Sequence, residues 1–192
     1  MIASSGSALT PYLVPRRFES ASFATFTPKT ESQRVAHDAV REWTTRAAKK
    51  QGPMLALIGS QGAGKSHLLY AAVLHVLREM PAGTVYSRPW YRLADELRYG
   101  GPSVFAPHLP DEASEVCARL WRHSIVFLDE VRSTASTALD ENELAKFACH
   151  AYDSRVAVLI TTNVNPLKDV MGAAAASRFT QIVIDGPDRR QA

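Results

Sequence analysis

Eight consecutive residues, Gly59-Ser60-Gln61-Gly62-Ala63-Gly64-Lys65-Ser66, spell GxxxxGKS. That spacing suits one task, holding a chain of phosphates. Small residues let backbone N–H groups turn toward phosphate oxygens, and a helix starting where the loop ends adds its partial positive charge. Lys65 can then reach the β and γ phosphates. The Ser66 hydroxyl can sit on Mg²⁺, an ion that keeps several waters and takes few protein ligands. The nucleotide-binding candidates are therefore Gly59 through Ser66 with the adjoining His67.

Further along, Ile125-Val126-Phe127-Leu128-Asp129-Glu130 is an apolar run ending in two adjacent carboxylates. At the carboxyl end of a strand in an open α/β sheet, side chains face the ligand crevice, so Asp129 is expected in the Mg²⁺ shell. Glu130 can orient and polarise the attacking water. An acid placed there favours hydrolysis of a nucleoside triphosphate over transfer to a small acceptor, as a nucleotide kinase would require. The other reading is a pair of solvated loop acids. Val156 to Ile160 repeats the pattern and runs into Thr161-Thr162-Asn163. Asn163 there could face the γ-phosphate, or Thr161 and Asn163 could satisfy loop backbone, as such residues often do. Arg178, in Ser177-Arg178-Phe179, could complete phosphoryl-transfer electrostatics in cis or from a neighbouring subunit, or be an ordinary solvated arginine. Single-turnover hydrolysis would separate an ATPase from a nucleotide-gated binding module.

These residues need strands to carry them and helices to brace them. Thr30-Glu31-Ser32-Gln33 fits a capping box, and Val35, Ala39, Trp43 and Ala47 recur every four residues, which predicts an amphipathic helix to about Lys50. Met54 to Ile58 is uninterruptedly apolar, as a strand buried on both faces of a parallel sheet is. A helix is predicted from Lys65 to Met80, a second strand over Thr84 to Ser87, and a short helix from Pro89 through Leu97. A loop (99–110), a helix from Asp111 to Trp121 and a strand over Ile125 to Leu128 follow. Next come helix 137–152, strand 156–161, short helical stretches from Asn165-Pro166 and over 172–178, and a last strand from Gln181 to Ile184. Strands alternating with helices imply a parallel sheet covered on both faces. Residues 1–21 are rich in Ser, Pro and small residues without a period and read as a flexible N-terminal tail.

Composition sets the bounds. In 192 residues, 46% are hydrophobic and 21% charged, with a formal net charge of +3, which excludes a disordered chain and leaves room for one domain. The apolar runs fall far short of the ~20 residues that cross a bilayer. Ser4, Ser5, Gly6 and Ser7 stand where a signal peptide would place leucines, so a cytoplasmic protein without membrane partners is expected. Cys117 and Cys149 form no CxxC and read as two buried thiols; His67, His75, His108 and His123 show no metal-ligand spacing. Arg88, Trp90, Tyr91, Arg92, Arg98, Tyr99 and Phe105 interleave basic and aromatic residues. That mixture suits single-stranded DNA, with guanidinium groups tracking phosphates and rings stacking bases. The alternative makes Trp90, Tyr91 and Leu97 the buried face of a short helix.

Taken in order, GSQGAGKS, IVFLDE, LITTN, ASRF and DGPDRR resemble the AAA+ domain of the DnaC/IstB group, the bacterial and phage helicase loaders and their transposition-linked relatives. The resemblance runs over about residues 22–190, including Phe23-Ala24-Thr25-Phe26, which is similar to the group's lead-in segment beside the adenine. It implies a three-layer α/β P-loop NTPase with a parallel sheet ordered 5-1-4-3-2, an ATPase domain over 22–192, and no helical lid. By it, Asn163 matches the sensor-1 position, Arg178 the arginine finger, and Arg190 the arginine of the closing motif. It further implies ATP and Mg²⁺ as cofactors, slow hydrolysis, an ATP-dependent homo-oligomer, and single-stranded DNA with a replicative helicase, or else a transposase, as partners.

Overall fold

The computed structural model describes residues 14–80, 85–93, 125–131 and 138–188. A 3₁₀ turn, Arg16–Phe18, leads into α1 (Glu31–Ala48), β1 (Met54–Gly59), α2 (Lys65–Glu79), β2 (Val85–Pro89), β3 (Ile125–Val131), α3 (Ala138–Asp153), β4 (Ala157–Thr162), α4 (Lys168–Ala176) and β5 (Thr180–Ile184). All the strand pairs are parallel, and the sheet order is β2-β3-β4-β1-β5. This is the expected 5-1-4-3-2 read from the other edge. Because β1 lies between β4 and β5, the loop after β1 emerges beside the carboxyl end of β4. The acids ending β3 are one strand further.

The uninterrupted apolar runs are explained by two cores, one on each face. Along β1 the side chains alternate: Met54, Ala56 and Ile58 join α3 and α4 in one cluster, while Leu55 and Leu57 join α1 and α2 in the other. On the second face Trp43 packs edge-on against Phe127 at 5.3 Å, and its indole N–H donates to the Pro53 carbonyl at 2.9 Å.

Four expectations need correction. The face of α1 is rotated from the one predicted. Ala36, Val40, Trp43 and Ala47 are buried, whereas Val35 is 45% exposed and Ala39 only half-buried. A strict four-residue step advances about 40° beyond a full turn each time, so it drifts off a stripe that needs mixed three- and four-residue steps. Residues 14–21, expected within the flexible tail, are packed instead: Val14 is 1% exposed and Ala21 is buried, both in the α1/α2 core, while residues 1–13 lie outside the described residues. Cys149 is half-buried rather than buried, and Cys117 lies outside the described residues. Strand β2 runs on through Pro89, where a helix was expected to begin, and the helical turn starts at Trp90. No helix among the described residues is long and apolar enough to cross a membrane.

Candidate functional site

The phosphate-type loop joins β1 to α2 as its spacing requires. Gly62 and Gly64 take φ of +77° and +103°, a left-handed backbone that side chains resist. A Cβ on Gly62 would also lie 2.0 Å from Asp188 Oδ1. The Lys65 ammonium, largely buried, donates to the carbonyls of Gly59 at 2.8 Å and Ser60 at 2.7 Å, so it is held inside the loop. Gln33 braces the loop from behind. Its side chain accepts from Lys29 N–H at 2.7 Å and donates to the Ala63 carbonyl at 3.2 Å, while Thr30 Oγ1 caps α1 by accepting from Gln33 N–H at 3.2 Å. The predicted capping box is thus half kept: the glutamine turns to Lys29 and to the loop instead of closing on Thr30. Gln33→Leu, which removes both polar contacts inside the core, is expected to lower stability by about 1–3 kcal/mol in a urea titration. An unchanged midpoint would show that the loop does not depend on this brace.

Asp129 is 2% exposed, and hydroxyl groups surround its carboxylate. Ser66 Oγ donates to Oδ1 at 2.9 Å and Thr161 Oγ1 donates to the same oxygen at 2.6 Å. The Tyr70 phenol, buried on α2, feels the same carboxylate. Burial, then the charge of Asp129 and a hydrogen bond to it, push that phenol far above its ordinary range, so it stays protonated at neutral pH. Ser66 Oγ and the Asp129 carboxylate are hard oxygen donors side by side, the donor set that Mg²⁺ prefers. The residues present therefore fit that ion.

Glu130 stands at a bulge. Leu128 pairs with Ile160 and Val131 with Thr162, so Asp129 and Glu130 together face Thr161. Its φ is +56°, a left-handed backbone in a non-glycine residue, and its N–H donates to Thr161 Oγ1 at 2.9 Å. Backbone in this region costs about 1–3 kcal/mol and persists where surrounding structure enforces it. Here the bulge brings consecutive acids into different surroundings: Asp129 accepts from the hydroxyl cluster, while Glu130 lines a cavity of about 300 Å³. Gln61, Gly62, Gly64, Lys65, Ser66 and His67 from the loop side line it too, and Thr161 and Asn163 from the end of β4. Gly59, Ser60 and Ala63 serve the loop through their carbonyls instead. His67 also ties the lead-in segment to α2, its Nε2 lying 3.1 Å from Thr25 Oγ1 and 3.3 Å from the Ser22 carbonyl.

Thr161 is the residue whose part the sequence understated. It bridges the backbone of Glu130 to the carboxylate of Asp129, and its only sequence signal was a hydroxyl at a strand end. Arg178 lies elsewhere. Its guanidinium carbon sits 5.3 Å from the centroid of the Tyr152 ring and Nη1 donates to the Ala174 carbonyl. It precedes Thr180, which pairs with Leu55 at the start of β1, whereas the phosphate loop leaves from Gly59 at the other end. Arg190 lies outside the described residues. Of the basic and aromatic set, Arg88 and Trp90 are buried and Tyr91 is 47% exposed; Arg98, Tyr99 and Phe105 fall outside the described residues.

No protein-family model and no curated protein matches the chain. Solved structures do. A DnaC helicase loader gives a TM-score of 0.69 at 19% identity, over 88% of this chain and 99% of that one. DnaI gives 0.65 at 18% identity, over 92% and 94%. The replication initiator DnaA bound to AMPPCP and single-stranded DNA gives 0.67 at 18% identity, over 92% of this chain and 52% of that one, so the chain spans about half the length of DnaA. TM-scores of 0.65 to 0.69 over most of this chain mean a shared architecture, and the chain has the fold of these solved structures, a helix-flanked parallel sheet with the phosphate-type loop after its β1.

Proposed function

We propose that the protein is an ATP-dependent accessory factor of DNA replication that binds ATP with Mg²⁺, hydrolyses it slowly and acts on a replicative helicase at single-stranded DNA. The observation that carries the nucleotide part is the Ser66–Asp129–Thr161 hydroxyl and carboxylate cluster beside Lys65, with Glu130 turned into the same cavity. Lys65 and the N-terminus of α2 offset phosphate charge, and Mg²⁺ held by Ser66 and Asp129 would supply electrostatic stabilisation of the terminal phosphates. In this reading Glu130, which lines the cavity, positions and deprotonates water, and Asn163, exposed in the same lining, holds the γ-phosphate or that water. The replication part is supported by the company of the fold: a helicase loader, and an initiator bound to single-stranded DNA.

Phosphate release from ATP in the absence of any acceptor tests the hydrolytic reading. Slow turnover supports it, and binding without turnover would leave a nucleotide-gated module. Affinity capture with ATP and with ADP, followed by identification of the bound protein, tests the partner: a replicative helicase supports the loader reading, and a transposase would move the protein to transposition. For DNA, the reading now rests on Tyr91 and Arg92, both exposed on the helical turn at 90–93, with Arg92 Nε 3.3 Å from the Tyr91 hydroxyl. Tyr91→Ala should weaken single-strand binding by about 1–3 kcal/mol through lost stacking. Arg92→Ala should lower affinity and reduce the salt slope by about one ion. Fluorescence anisotropy across a salt series reads both effects, and unchanged affinity in the two variants would remove this surface from the DNA path.

A further inference from the structure

Residues 14–21 do more than precede the domain. Val14 and Ala21 are buried in the α1/α2 core, and Phe18 packs against it. Between them the chain makes a tight turn, with Phe18 N–H on the Pro15 carbonyl at 2.8 Å, Glu19 N–H on Arg16 at 3.2 Å and Ala21 N–H on Phe18 at 2.9 Å. Two anchors and a closed turn leave little freedom to the side chains displayed there.

What the turn displays is a stack. The Phe18 ring lies on the ring of Tyr70, centroids 4.7 Å apart and planes 22° from parallel. Arg17 covers Phe18 in turn, its guanidinium carbon 4.8 Å from the centroid. Tyr70 is one helical turn after Ser66 on α2; the Ser66 hydroxyl donates to Asp129, and the charge of Asp129 is felt at the Tyr70 phenol, so the stack stands beside the element that carries the Mg²⁺ candidate Ser66. Arg17 and Phe18 both line the cavity that holds Lys65, Glu130 and Asn163. The charge of Arg17 is felt at the Tyr70 phenol, where it opposes the effects of burial and of Asp129.

An exposed arginine loses side-chain entropy when it is ordered, and the flat face of Phe18 pre-orders this one at the cavity. A planar fork so placed matches phosphate oxygens in pairs. It also meets a need. Lys65 and the half-charge of a helix N-terminus leave part of a triphosphate's negative charge unbalanced, even with a divalent cation. The terminal phosphate, on the side of Glu130 and Asn163, carries the excess that distinguishes a triphosphate from a diphosphate.

We infer that Arg17 is a phosphate contact supplied in cis, with Phe18 as its positioning residue, and that it selects the triphosphate over the diphosphate. The inference rests on the ATP-binding reading above. It is tested on the full chain with fluorescent ATP and ADP analogues and Mg²⁺, titrated into wild type, Arg17→Ala, Arg17→Lys, Phe18→Leu and Arg16→Ala. Arg17→Ala is expected to lose about 10- to 100-fold in affinity for the triphosphate, the range of one charge-assisted contact, and only a few-fold for the diphosphate. Arg17→Lys should recover part of the loss, and Arg16→Ala should match wild type. Phe18→Leu keeps the apolar cover but removes the stack, and should narrow the same ATP-to-ADP ratio. Thermal melts compare the folds, and in wild type the triphosphate should slow tryptic cleavage after Arg17 more than the diphosphate does. Equal affinities in Arg17→Ala and wild type, or equal losses for both nucleotides, would overturn the inference while leaving ATP binding intact. A wild type that binds neither nucleotide would overturn both.

Discussion

Lys65→Ala is expected to abolish ATP binding, whereas Glu130→Gln is expected to leave binding intact and stop turnover. The two residues line one cavity but act at different stages. The Lys65 ammonium already sits inside the loop, on the carbonyls of Gly59 and Ser60, so it meets the phosphates in the ground state and in the transition state alike. Losing it removes uniform binding, and the alanine also leaves two loop carbonyls without their donor. Glu130 stands differently. Its backbone is tied to Thr161 and twisted into the left-handed region, and the residue lines the cavity without sharing the hydrogen bond that joins Ser66 to Asp129. Its part begins when water attacks, and the loss of a general base costs about 10²- to 10⁴-fold in rate. Equilibrium titration with a nucleotide analogue, set beside single-turnover hydrolysis, separates the two. Equal loss of binding in both variants would mean that Glu130 holds ground-state phosphate or metal.

Arg178→Ala is expected to bind ATP like wild type and to hydrolyse it about 10³-fold more slowly, with the missing charge restorable from another subunit. Geometry supports the second half of that statement. From Leu55, which faces Thr180, to Gly59 the strand β1 covers about 13 Å at ~3.3 Å per residue, and the loop lies beyond it. The side chain of Arg178 lies over Tyr152, toward the amino ends of the strands and away from the loop at their carboxyl ends, so its own phosphates are out of reach. Tyr152 is itself exposed and Arg178 only half-buried, with its buried Nε making no hydrogen bond, so little beyond the ring contact and the bond to the Ala174 carbonyl holds the side chain where it is. A neighbouring cavity has to outcompete only those two contacts to draw the arginine away. Activity per subunit should rise with protein concentration. A mixture of Arg178→Ala with Lys65→Ala should regain part of the lost rate, because the second protein brings an intact arginine to the intact loop of the first. Activity that is flat with concentration, with no regain in the mixture, would reduce Arg178 to a structural partner of Tyr152.

Much of this protein could be read without coordinates because the relevant physics is local. A GxxxxGKS loop between an apolar run and a helix is specified within about twenty residues, and buried parallel strands announce themselves as unbroken apolar runs. Asp129 and Glu130 were recognisable for the same reason, as charges that a buried strand would not end on without use. Sheet order came from the resemblance and agrees with the observed order. Other features depended on which distant segments meet. Thr161 bridges Asp129 and Glu130 only because β4 pairs with β3 and a bulge sets two residues against one, a long-range choice that side-chain period does not encode. Arg88, grouped by sequence with the basic and aromatic set that suits single-stranded DNA, lies buried in β2, since burial is set by what covers a strand and not by its own letters. Val14, Phe18 and Ala21 have no period because they do not form one face of a regular element; each fills a separate place on α1 and α2, and only those helices, once folded, create the places. Local sequence determined the chemistry available and the elements that carry it. Tertiary structure decided which hydroxyl steadies the acids, which end of the strands holds Arg178, and that Arg17 stands at the mouth of the cavity, because each of these is a contact between segments that meet only when the sheet has closed.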